Sequence, residues 1–155
     1  MMHPRLSAGA PFVVVGAVIG IIGGGATAAA IAYHATQPLV WMVAYLVLVV
    51  GVMQIVFGAG QAWLAAEPPR ARQVWGPWVL FNLGSAGVIA GTLCRQTQWV
   101  AVATAVFVLA LAWFLLGLHR CRYRGWGIAY RVLLALILVS SFIGLLISVF
   151  SNGLA

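Results

Sequence analysis

The chain has 155 residues, 65% of them hydrophobic and 6% charged, with a formal net charge of +7 that includes a single acid. Soluble domains carry about a quarter charged residues, so this composition excludes a solvated globular surface and leaves a membrane-embedded chain. All eight basic residues are Arg beside apolar stretches, a placement that fits membrane orientation and anionic headgroups rather than nucleic acid.

A hydrocarbon core of about 30 Å needs around 20 apolar residues in a helix. Five segments meet that length: 11–33, 39–65, 77–93, 99–118 and 128–150. The sequence therefore predicts an all-α membrane protein, a single bundle of five transmembrane helices over residues 1–155. Pro38, Pro68, Pro69 and Pro77 fall at the proposed breaks, where a fixed φ and a missing amide donor favour turns.

The first span carries Gly16, Gly20, Gly24 and Ala28 at four-residue spacing, a ladder that lets a neighbouring backbone approach closely. Met1 to Ser7 followed by an apolar run and Ala26-Thr27-Ala28 also fits a cleavable signal peptide, which would leave four helices. The glycine string at 23–25 lies inside this span and is read as packing or helix distortion.

The second span places Gly51, Gln54, Gly58 and Gln61 on one stripe, and the third places Asn82, Ser85 and Thr92 among glycines. Gln61 and Asn82 each lie about 8 Å inside the same membrane face, counted at about 1.5 Å per residue. The expectation is an amide hydrogen bond between them. Such a pair serves as helix glue of about 0.6 kcal/mol, or lines a path for a small solute or proton.

The fourth span is rich in Val, Leu and Phe and is expected to face lipid or a partner. The fifth has Ser141, Gly144, Ser148 and Ser151 at helical spacing, a face expected to be buried.

Counting the spans alternately puts Arg5, Arg70, Arg72, Arg120, Arg122, Arg124 and Arg131 on the side of the N-terminus and Arg95 opposite. By the positive-inside rule the N-terminus is cytoplasmic and the C-terminus outside, in a bacterial inner membrane. Trp41 and Trp99 mark the outer interface; Trp63, Trp75, Trp78, Trp113 and Trp126 mark the inner one. Indole suits both positions because it is apolar yet carries one donor.

Catalytic constellations are not found. His34 and His119 lie at opposite membrane faces and cannot converge on one haem. His119, Cys121 and His3 make a poor zinc set, with one close pair amid arginines. Cys94 and Cys121 lie at opposite faces and cannot pair; juxtamembrane Cys121 is a candidate for acylation from its position alone. The single acid, Glu67, lies in a turn, and no glycine loop leads to a lysine. No cofactor or metal is expected.

The run from His119 to Arg124, with Trp126, is the densest basic segment. Arg120, Arg122, Tyr123, Arg124 and Trp126 are candidates for contact with lipid headgroups or a partner. The neutral stripe Gln54, Gln61, Asn82 and Ser85 is the other candidate site.

Val74-Trp75-Gly76-Pro77-Trp78, the five spans and the length make the chain similar in gross terms to the tryptophan-rich sensory protein family. That family's extended Trp-Pro-Trp-Phe signature and later Trp–Asn motif are absent, so no ligand or residue role is transferred. Microsomal glutathione-transferase-like bundles also differ, because their intramembrane Arg and Glu positions have no counterpart.

The leading functional expectation is a non-enzymatic accessory or interaction subunit of a membrane assembly, in contact with anionic lipid and alone or oligomeric. The alternative is an oligomeric small-solute transporter or channel with a neutral polar path. A cofactor-binding redox subunit is third.

Overall fold

A computed structural model describes residues 4–67, 69–117 and 121–152. The described residues are all-α, with no strand, and contain five helices long and apolar enough to cross a membrane. We number them α1 (4–31), α2 (Gln37–Leu64), α3 (Ala71–Leu93), α4 (Thr97–Gly117) and α5 (Arg124–Asn152). The chain divides into two compact units, Met1–Val74 and Trp75–Ala155.

In the first unit α1 and α2 form an antiparallel pair. Their contact is made through glycine, as expected from the four-residue ladder. A Cβ at Gly20 would overlap the backbone of Gly51, and one at Gly24 would come within 2.6 Å of Val47. Gly16 meets Ile55, and Gly58 receives the ring of Phe12. Without a hydrophobic driving force between helices in lipid, this close approach is what gives the pair its dispersion energy.

Both helices widen to π geometry where they face each other, over Gly16–Gly23 in α1 and Leu46–Met53 in α2. A π turn closes one residue later than an α turn, so residues four apart stay closer to one line. The glycine ladder of α1 uses that alignment. Of the glycine string at 23–25, Gly23 ends the wide segment, Gly24 packs on Val47 and a Cβ on Gly25 would meet nothing within 4 Å.

α2 begins after extended Thr36, with Pro38 in its first turn, where the missing amide donor has no helical partner to lose. α3 begins earlier than its sequence signal. Arg70 N–H donates to the Gln73 side chain at 2.9 Å, half of a capping box, so the helix starts at Ala71 and Pro77 falls inside it. Pro11 is likewise inside α1. Both prolines were expected to open spans; in membrane helices the freed backbone groups are commonly re-satisfied, and interior proline is tolerated.

In the second unit α4 packs on the glycine face of α3. Gly84 meets the backbone of Phe107, Gly87 the Cβ of Ala103, and Gly76 the indole of Trp113. The side chains of Ala103, Phe107, Ala110, Leu111 and Phe114 are buried. One side of α4 is thus core rather than lipid-facing, because α3 offers it a groove of glycines. Phe81 joins this core, with ring centroids 5.0 Å from Phe107 and 6.5 Å from Phe114.

α5 packs against α4, but not through its Ser/Gly face as expected. Gly144 is exposed, and a Cβ there would meet nothing within 4 Å. Ser141 satisfies itself on the Ile137 carbonyl at 2.8 Å. The side chains of Ser148 and Ser151 lie outside the described residues. Tyr130 and Leu134 supply the buried side of this helix.

Candidate functional site

Among the described polar side chains of the spans, two chemically different groups stand out. Thr27, Asn82 and Ser141 each donate to the carbonyl four residues back, at 2.8–2.9 Å. That local bond is the ordinary solution for a short polar side chain in a helix. The second group does not use it.

Gln54 is fully buried at 0% exposure, and neither its Oε1 nor its Nε2 has a hydrogen-bond partner. Gln61 is also buried, and its Nε2 is unpartnered. The two are seven residues apart on α2, so they share a face and sit about 10 Å apart along the axis. An unsatisfied buried polar group costs about 1–3 kcal/mol, so the stripe is expensive as helix packing alone.

Gly58 lies between the two glutamines in sequence, and Phe12 of α1 fills the notch it leaves. Phe12 is 1% exposed. The first unit thus brings together two amides, a glycine notch and one aromatic ring. The ring was not marked by the sequence analysis; its spacing of four from Gly16 was the available signal.

The second unit carries its own polar face on α3. Ser85 is 2% exposed and its Oγ has no partner; the indole N–H of Trp78 is buried and unpartnered too. Asn82, half-buried, donates to the Trp78 carbonyl. The amide pair expected between Gln61 and Asn82 joins residues of different units; what each does locally is different, one donor bonded within its helix and one unbonded.

Trp78, expected near the inner interface, also makes contacts within its own helix. Its ring packs edge-on against Trp75 at 5.5 Å, while Trp75 itself is 51% exposed. Trp113 lies against Gly76 and is also a packing residue. Trp63, Trp99 and Trp126 remain outward-facing near helix ends.

The described part of the basic turn is displayed on the surface. Arg122 lies over the Tyr123 ring at 5.3 Å, and Arg122, Tyr123, Arg124 and Trp126 are exposed. A guanidinium over an aromatic ring keeps its charge available to an anion while its flat face is covered. Cys121 is less available: its sulfur lies 2.6 Å from where a Cβ on Gly127 would stand. Arg120, His119 and His3 lie outside the described residues, as does the side chain of Arg5.

At the opposite turn Arg95 has φ 55, the one positive φ outside glycine among the described residues. Gln96 N–H donates to Gly91 O at 2.8 Å and Arg95 N–H to Thr92 O at 3.2 Å. These are the two bonds of a Schellman ending, whose left-handed position is usually glycine. Cys94 beside it is exposed.

No protein family, curated protein or solved structure matches this chain. Among the described residues, no three His, Cys, Asp or Glu gather into a group.

Proposed function

We propose that this chain is a multi-pass protein of the bacterial inner membrane, N-terminus cytoplasmic, serving as a non-enzymatic accessory or interaction subunit of a membrane assembly. The observation that carries this reading is the character of the outward surface. Large apolar residues such as Ile22, Leu116 and Leu136 are 66%, 74% and 63% exposed along the spans, a surface that needs lipid or other helices against it. The arginines beside the helix ends supply the orientation, with Arg122, Tyr123, Arg124 and Trp126 meeting anionic headgroups at the cytoplasmic turn.

Two measurements test this. In intact spheroplasts a membrane-impermeant maleimide should label exposed Cys94, with Cys94→Ser removing the signal; labelling only after permeabilisation reverses the orientation. Purification in mild detergent should return a stable stoichiometric partner or a defined oligomer. A lone monomer with no partner counts against the accessory role.

A second reading, an oligomeric path for a small neutral solute, draws support from the unpartnered polar atoms of Gln54 and Gln61 in the first unit and, separately, of Ser85 in the second. Reconstituted flux abolished by Gln61→Leu, with expression and oligomer intact, would favour it.

A further inference from the structure

We infer that Gln54 and Gln61 of α2 bind a small neutral molecule that both donates and accepts hydrogen bonds. This deepens the solute-path reading and rests on it for transport, though not for binding.

Three observations converge on this site. First, Gln54 presents an unpartnered carbonyl and an unpartnered amide from one fully buried side chain. A planar amide with both edges free is complementary to a molecule carrying a donor and an acceptor side by side. Gln61 adds a further free donor on the same face. Second, Thr27, Asn82 and Ser141 satisfy themselves on their own helix. In the first unit the two glutamines do not. Third, the glycine notch at Gly58 places the ring of Phe12 between the two glutamine levels.

Charge selects the class of ligand. The two spans of the first unit, Ala8–Ile31 and Gln37–Leu64, hold no Asp, Glu, Lys, Arg or His. An ion there would have no counter-charge, and an uncompensated charge at this depth is far more costly than a neutral dipole. The chemistry that remains is a neutral donor–acceptor: a small carboxamide, or water itself. Gln54 lies ten residues before Leu64, about 15 Å along the helix, so the site is near mid-depth.

The test uses full-length protein in lipid nanodiscs, labelled with 15N at glutamine, with the Gln54 side-chain signal identified by its loss in Gln54→Met. Acetamide is the solute probe. An acetamide-dependent shift of the Gln54 signal, weakened about tenfold or more in Gln61→Leu, supports a solute site. Magnetisation transfer from water to the Gln54 amide without an acetamide shift supports water as the occupant. Neither effect, together with Gln54→Met at least as thermostable as the native chain, overturns the inference, because an amide serving no ligand is improved by an apolar replacement. Acetamide flux into proteoliposomes is measured separately. Binding without flux removes the path and keeps the site; flux without any response at Gln54 keeps a path and removes this site.

Discussion

Gly20 of α1 and Gly51 of α2 meet backbone to backbone, so closely that a Cβ on Gly20 would overlap Gly51 Cα and N. The environment of Gly20 differs sharply from that of Gly25, five residues on, where a Cβ would meet nothing within 4 Å. Gly20→Ala should therefore destabilise by about 1–3 kcal/mol, the cost of overpacking a filled contact. Gly25→Ala should be neutral or stabilising by about 0.5–1 kcal/mol, since alanine favours the helix. Thermal denaturation in detergent compares the two; equal effects would refute the packing described.

Ser85 offers a second contrast. Its hydroxyl is buried without a partner, so Ser85→Ala should leave stability unchanged or raise it by about 1 kcal/mol. A loss of that size instead, seen in the same melting experiment, would mean that the hydroxyl serves a bonded ligand.

Arg95 occupies a left-handed position with φ 55. Relieving a side chain there is worth about 1–2 kcal/mol, so Arg95→Gly should raise the melting temperature. Arg95→Ala, which removes the charge but keeps the Cβ, should not. If both variants behave alike, charge rather than backbone geometry governs this turn.

Cys121 and Gly127 should be energetically coupled. Gly127→Ala would bring its Cβ to 2.6 Å from the Cys121 sulfur and is expected to destabilise. Adding Cys121→Ala removes that sulfur and should recover a good part of the loss. A double-mutant cycle reads the coupling, expected within the 0.5–3 kcal/mol found for residues in contact.

Apolar length and arginine position were enough to read five helices from the sequence, because spanning a hydrocarbon layer imposes both. The ends were less legible. Pro11 and Pro77 look like helix starts under rules for water, yet both lie inside helices. Faces were legible where glycine repeats, as at Gly16, Gly20 and Gly24. They were misread where a helix is uniformly apolar: nothing in α4 alone says that Phe107 and Phe114 are core and Leu109 and Leu116 are not. That distinction belongs to the glycines of α3. The stripe of Gln54 and Gln61 is visible as a seven-residue spacing, but whether an amide is bonded depends on what packs against it. Asn82 and Gln61, chemically alike in sequence, differ in just this respect.

The paired wide turns of α1 and α2 have a consequence for phase. Each eight-residue segment, Gly16–Gly23 and Leu46–Met53, sets the rotation of the outer half of its helix relative to the inner half. A π turn takes in one more residue than an α turn, so deleting one residue from such a segment and letting it return to α geometry would keep everything beyond it near its present phase. Return to α geometry without a deletion would instead turn the outer half, and in α1 would swing Gly24 away from Val47 while leaving Phe12 seated on Gly58. The wide turns thus act as the joint that sets the phase between the two halves of the helical pair.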